Sequence, residues 1–207
     1  MKIAVIGAGP VGMTLGAGWA AKGHEVRYGA RNPASDKVAK ALAATPGSTA
    51  LPIAEAVRWA DAALLATPWE GARPAVSGVD FAGKPLLDAT NPLTPGFEIA
   101  VGHTSSGGEQ VQAWAPSASV VKILNSTGAE NMANPVYPQG RAAMVYAGGD
   151  ARAKAVASQL AADLGFEPLD LGGLEGARYL EPAAMVWIRL AIVQRLGRHV
   201  AFGLMRR

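Results

Sequence analysis

Short apolar runs alternate with longer amphipathic stretches along this chain, and the alternation predicts its elements. Runs at Lys2–Ile6, Glu25–Tyr28, Thr49–Leu51, Ala62–Ala66, Pro85–Ala89, Val120–Leu124, Ala142–Ala147 and Glu167–Leu171 read as strands. Helices fall between them, at Pro10–Ala21, Ser35–Ala44, Ile53–Ala60, Glu70–Val76, Glu109–Trp114 and Ala151–Leu164, with Asp150 as N-cap of the last. Such alternation predicts an α/β protein, a mostly parallel sheet covered by helices on both faces. Two stretches rich in Asn, Pro, Ser and Gly, Asn91–Gly108 and Thr127–Gly140, read as irregular excursions. From Leu174 onward the pattern reads as helical, with Pro182 at a helix start or kink and a tail apolar on most sides.

The first strand leads directly into Gly7-Ala8-Gly9-Pro10-Val11-Gly12, a GxGxxG turn that opens the first helix. Gly7 permits a tight exit from the strand, Gly9 lets the backbone approach a pyrophosphate, and Gly12 lets the helix pack on the sheet. Pro10 suits the first helical position, where its missing N–H costs nothing. The helix start then offers free N–H groups and a positive dipole end to a diphosphate. With a strand before and a helix and second strand after, the turn reads as dinucleotide-binding in a doubly wound sheet of the Rossmann type, and the helical pattern from Leu174 adds a small C-terminal helical region.

About twenty residues beyond such a turn, NAD-binding sites carry an acid for the ribose 2′-hydroxyl. Here the second strand runs instead into Ala30-Arg31-Asn32, and no acid lies between Glu25 and Asp36. Arginine in place of the carboxylate favours a 2′-phosphate, hence NADP(H), over a solvated loop residue. Lys37 could add charge there or be an ordinary surface lysine.

Ligands of open α/β sheets bind beyond the carboxyl ends of the strands. Three predicted strand ends carry polar tips stiffened by nearby proline or capped by glycine: Thr67-Pro68-Trp69, Thr90-Asn91-Pro92-Leu93 and Asn125-Ser126-Thr127-Gly128-Ala129. They suit contacts to ribose, diphosphate and the nicotinamide amide, although such residues are also common turn chemistry. Trp69 fits a core or interface position equally well.

Composition narrows the partners. Half of the 207 residues are apolar and the net charge is only +3, with no basic run beyond Arg206-Arg207, which argues against nucleic acid. The absence of cysteine excludes thiol chemistry and suits a reducing, cytoplasmic setting. Met1 precedes the first strand at once, so no targeting segment is expected, and Ala183–Val193 is too short to span a bilayer. The three histidines are scattered without carboxylates at ligand spacing, so no metal site is expected. His24 reads as structural and His199 as a packed or surface residue of a terminal helix. His103, in the Asn91–Gly108 loop, either contacts substrate or has no role.

Several further blocks, Gly23-His24-Glu25-Val26, Ala66-Thr67-Pro68-Trp69-Glu70, Asp88-Ala89-Thr90-Asn91-Pro92-Leu93, Val121-Lys122, Asn125-Ser126-Thr127-Gly128-Ala129 and Ala177-Arg178-Tyr179-Leu180-Glu181-Pro182, extend nearly end to end. With the glycine turn and Arg31, they make the chain resemble the coenzyme F420-dependent NADP oxidoreductases and their bacterial dinucleotide-binding relatives. The resemblance implies an NADP-binding Rossmann domain over residues 1–136. It also implies a C-terminal α/β extension with dimerisation helices over 137–207, and a homodimer. The implied reaction is hydride transfer between NADP(H) and F420 or a related small-molecule acceptor, with no side-chain nucleophile. The implied cofactor-binding residues are Gly7, Ala8, Gly9, Pro10, Val11, Gly12, Ala30, Arg31, Asn32, Lys37, Thr67, Pro68, Trp69, Asn91, Asn125 and Ala129. Arg31 matches the family's 2′-phosphate arginine. Ala30 replaces a common serine and so offers one hydrogen bond fewer. Asn125–Ala129 is more polar than in the archetypal archaeal enzymes, which keeps open a flavin, quinone or imine reductase, or a non-catalytic NADP(H) sensor.

Overall fold

The first strand, β1 (Lys2–Ile6), sends Ile3 and Val5 into one buried cluster and Ala4 and Ile6 into another, as a strand covered on both faces must. The computed structural model describes residues 1–96 and 98–207; Phe97, inside the predicted excursion Asn91–Gly108, lies outside the described residues. After β1 come α1 (Pro10–Ala21), β2 (Glu25–Ala30), α2 (Asp36–Ala44), β3 (Thr49–Pro52), α3 (Ile53–Trp59), β4 (Ala62–Leu65), α4 (Trp69–Val76) and β5 (Pro85–Asp88). They are followed by α5 (Gly107–Trp114), β6 (Ser119–Lys122), α6 (Ala129–Ala133), a short β7–β8 hairpin (Val136–Tyr137, Gly140–Arg141), β9 (Ala143–Gly148), α7 (Ala151–Asp163), β10 (Glu167–Asp170) and α8 (Ala177–Ile188).

The main sheet runs β10-β9-β6-β5-β4-β1-β2-β3. Among themselves, strands β1 to β6 pair in parallel, so their carboxyl ends share one edge. β9 joins β6 antiparallel, with Val121 opposite Gly148, and β10 then runs parallel to β9. Chain order reverses at β1, between β4 and β2, which is where the rule for doubly wound sheets places a ligand. One face packs Leu15 and Trp19 of α1 with Ala153, Ala157 and Leu160 of α7; the other packs Val57 of α3, Val76 of α4 and Val111 of α5. Trp19 also donates from Nε1 to Leu160 O at 2.9 Å, so its buried polar atom is satisfied.

The fold class is the predicted one, and the departures have local causes. β6 stops at Lys122 rather than Leu124, because Leu124 adopts φ +61° and turns its N–H onto Met144 Sδ. The Thr127–Gly140 stretch holds α6 and the small hairpin rather than irregular chain alone. The C-terminus is not helical throughout. After α8 a single π turn spans Arg189–Val193, and left-handed Arg195 and Gly197 end it. The tail then lies over the body, where Asn131 Nδ2 donates to Arg198 O and Val200 O and Trp187 Nε1 to Val200 O. Side-chain donors thus replace a helical ladder. Asp150 caps α7 as predicted, its Oδ1 accepting from Ala153 N at 2.7 Å. Among the described residues, no helix is long and apolar enough to cross a membrane.

α8 is tied to α5 by a two-pronged pair, Arg178 Nε and Nη2 donating to the two oxygens of Glu109. That guanidinium holds the Glu109 carboxyl below the usual carboxylate range against the opposing effect of burial, with Ser106 assisting. A depressed folded-state value gives stability at neutral pH that is lost as pH falls through the folded pKa. Wild type should therefore lose stability in denaturant titrations from about pH 6 to about pH 3 more steeply than Arg178→Ala. Equal slopes would mean that the pair contributes nothing.

Candidate active site at the carboxyl edge of the sheet

The turn after β1 is wedged by backbone on two sides. Gly7 has φ +114°, and a Cβ there would sit 2.4 Å from Ala66 O, at the end of β4. At Gly12 a Cβ would lie 1.9 Å from Gly7 O, so α1 and the turn can touch only without a side chain. Gly9 differs: its backbone is extended, and nothing lies within 4 Å of where its Cβ would be. It is the N-cap of α1, with no side-chain cap, Pro10 following, and no acid in the first turn. The first N–H groups of α1 thus have no side-chain acceptor. Open space beside unpaired N–H groups and a positive dipole end suits a diphosphate. Ala8 and Val11 are half-buried against the core and anchor the turn from below.

β2 lies beside β1 with Gly29 opposite Ile6, so the chain leaves β2 on the same edge as the glycine turn. Ala30 ends the strand, and Arg31 follows it, exposed and without an ion pair among the described residues. Asn32 Oδ1 accepts from Ala34 N at 3.1 Å, which spends that oxygen on the local turn. Lys37 is exposed in the first turn of α2, directly after Asp36. An arginine with five donors and no carboxylate partner can hold a phosphate by a two-pronged contact.

Beyond β4, Thr67 Oγ1 is buried without a hydrogen-bond partner among the described residues. Thr67 N lies 3.2 Å from the Cβ position of Gly7, so this orphan hydroxyl belongs to a residue abutting the glycine turn. Pro68 is the N-cap of α4, and Trp69 opens the helix with its ring on Trp114 of α5, centroids 5.1 Å apart. Its visible packing role is therefore between two helices. Beyond β5 and β6, Asn91 and Asn125 hydrogen-bond each other, and Ala129 is the half-buried first residue of α6. Asn125 Oδ1 is a second orphan, on a residue only 5 % exposed.

Two residues of this edge, Asp88 and Lys122, escape the sequence reading as site groups. Asp88 and Lys122 are register partners at the ends of β5 and β6, both fully buried, with Lys122 Nζ 3.0 Å from Asp88 Oδ2. Glu181, 1 % exposed in α8, lies 3.0 Å from the same ammonium. The available signal was a charge ending each of two otherwise apolar core strands. His103 is exposed with φ +62°. His24 pairs with Asp163 at 3.0 Å, a structural role as predicted. His199 lies in the irregular, exposed tail rather than a terminal helix, because the π turn ends before it.

The family model described as NADP oxidoreductase, coenzyme F420-dependent, matches residues 2–92. A solved structure from Arthrobacter sp. FB24, provisionally described as an F420-dependent NADP-reductase, is 31% identical, with TM-score 0.85 and all of both chains covered. A hypothetical protein of Sinorhizobium meliloti is 26% identical, with TM-score 0.76 over 100% of this chain and 96% of that one. The rat metalloreductase STEAP3 is 28% identical over 183 residues, which are 87% of this chain and 36% of that protein. The chain thus spans little more than a third of this curated relative.

Two glycine substitutions should separate packing from ligand approach. Gly12→Ala drives a methyl into Gly7 O and should cost about 1–3 kcal/mol or more in stability. Gly9→Ala meets open space and should cost less than about 1 kcal/mol, yet weaken NADPH binding measured by calorimetry. Unchanged affinity in Gly9→Ala would remove the turn as a phosphate site.

Proposed function

As the chain belongs to the coenzyme F420-dependent NADP oxidoreductase family, we propose that it transfers hydride between NADP(H) and a deazaflavin of the F420 type. The observation that carries this reading is the cationic end of β2. Arg31 has no ion pair among the described residues and follows β2 on the same edge as the acid-free start of α1, and the nearest acids in sequence are Glu25 and Asp36. A ribose 2′-hydroxyl would need an acceptor there, whereas a 2′-phosphate needs a donor. Residues 1–136 would hold the nucleotide, and residues 137–207 would supply the sheet extension and dimerisation helices.

Each proposed contact has a chemical task. Arg31 holds the 2′-phosphate, with Ala30 and Asn32 shaping the turn and Lys37 adding charge. Gly7 to Gly12, including Ala8, Pro10 and Val11, cradle the diphosphate with backbone N–H groups. Thr67 offers its unpartnered hydroxyl, while Pro68, Trp69 and Ala129 wall the cleft. Asn91 and Asn125 present amides to the ring end. When bound, NADPH supplies the hydride, so the protein's work is to fix two rings face to face and exclude water. The acceptor takes up a proton along with the hydride, and solvent can supply it, so no side chain need act as the acid.

The polar tip Asn125-Ser126-Thr127 favours a second reading, an NADPH-dependent reductase of a flavin, quinone or imine, because amides suit an acceptor rich in hydrogen-bonding groups. The partner for the C-terminal helix is a second copy of the chain. Tyr179, Val186 and Leu190 recur at helical spacing and are 72%, 52% and 39% exposed, a stripe that a twofold contact would cover.

Purified protein mixed with NADPH and oxidised F420 should bleach the deazaflavin absorbance. Arg31→Ala should lower kcat/KM with NADPH about tenfold or more and change that with NADH little. NADPH binding without turnover would reject F420 as acceptor. Equal use of NADH and NADPH by wild type would reject the role of Arg31.

A further inference from the structure

Asn91 and Asn125 form a fixed amide pair rather than two independent side chains. Asn91 Nδ2 donates to Asn125 O at 2.8 Å. Asn125 Nδ2 donates to Asn91 Oδ1 at 3.0 Å and to Leu180 O at 3.3 Å. Two oxygens converging on one atom identify it as the amide nitrogen. Both N–H groups of Asn125 are therefore spent, and they fix the plane of Asn91. Asn91 itself is half-buried, with one N–H and one lone pair of Oδ1 left over among the described residues. The spare N–H can donate to the oxygen of a primary carboxamide.

The pair is held from α8. Leu180, whose carbonyl fixes Asn125, precedes Glu181, which accepts from Gly107 N at 2.8 Å, Gly108 N at 3.0 Å and Lys122 Nζ at 3.0 Å. Lys122 Nζ also donates to Asp88 Oδ2 and to the carbonyl of Thr90, the residue before Asn91. Asp88 Oδ1 in turn accepts from Thr90 N and Oγ1. The backbone leading into Asn91 is thus set through Lys122, and its amide plane through Leu180 and Asn125. Both routes begin at the same turn of α8.

We propose that Asn91 reads the carboxamide of the nicotinamide, and that Glu181 and Lys122 are positioning residues that act through it. This rests on the proposed binding of NADP(H) along this edge. It is a statement about the ring end of the site, and the Arg31 end is independent of it.

The test compares two ligands by isothermal titration calorimetry: NADPH, and adenosine 2′,5′-bisphosphate, which keeps the phosphates and lacks the nicotinamide. Wild type should bind both. Asn91→Ala and Glu181→Gln should each weaken NADPH about tenfold and leave the bisphosphate within about twofold. The double variant should bind NADPH no more weakly than Asn91→Ala alone, because a residue acting through another is not additive with it. Should Glu181→Gln fail to fold, Asn125→Ala takes its place in the same cycle. Unchanged NADPH affinity in Asn91→Ala overturns the proposal, as does parallel loss of both ligands or full additivity. Wild type binding neither ligand overturns the proposed function itself, an outcome distinct from these.

Discussion

The ammonium of Lys122 sits fully buried at the end of β6, and much of the carboxyl edge is arranged around it. Taking a charge out of water costs several kcal/mol unless partners replace the lost hydration. Its three donors meet Asp88, Glu181 and the Thr90 carbonyl. Two carboxylates around one ammonium leave an excess negative charge. Glu181 places that excess at the start of α5, on the N–H groups of Gly107 and Gly108 and the positive end of the helix. The partners come from β5, the loop after it, α5 and α8, so these pieces must assemble together. Removing Lys122 would leave both buried carboxylates without their cation, at a cost of about 3–5 kcal/mol.

The edge so fixed has two ends built on different physics. At the glycine-turn end, sterics dominate: Gly7 and Gly12 let backbone meet backbone, and Gly9 leaves space open at the start of α1. At the amide end, beyond β5 and β6, polar geometry dominates, with Asn91 and Asn125 locked by α8. The strained Leu124, with φ +61°, turns the chain from the last parallel strand into Asn125. Strain of this kind persists where the surroundings over-determine it, here between Met144 and the amide pair. α8 therefore serves both the site, through its inner face, and an exposed apolar stripe on its outer face.

What was legible in the sequence was local. The glycine turn, the strand and helix alternation, Arg31 and the Asp150 cap all depend on neighbours within a few residues, and a chain of this pattern has few ways to bury its apolar runs. The parallel order also follows, since short crossovers force the carboxyl ends of β1, β4, β5 and β6 to one edge. That was enough to place Thr67, Asn91 and Asn125 beyond neighbouring strands. The tail was misread because its apolar residues suggested helix, whereas Asn131 and Trp187, dozens or a dozen residues away, supply donors that hold it extended.

By itself, then, the sequence determined the fold class and the glycine turn, because glycine sterics, β-strand burial and helix capping are settled by short-range rules. Only the tertiary structure decided the partners of Lys122 and the lock on Asn91. Those contacts join residues separated by 32 to 74 positions, and nothing in the local pattern says which buried charge will meet which. A buried ion network is specified by the cost of leaving any member unpaired, and that cost exists only once the chain has closed around it.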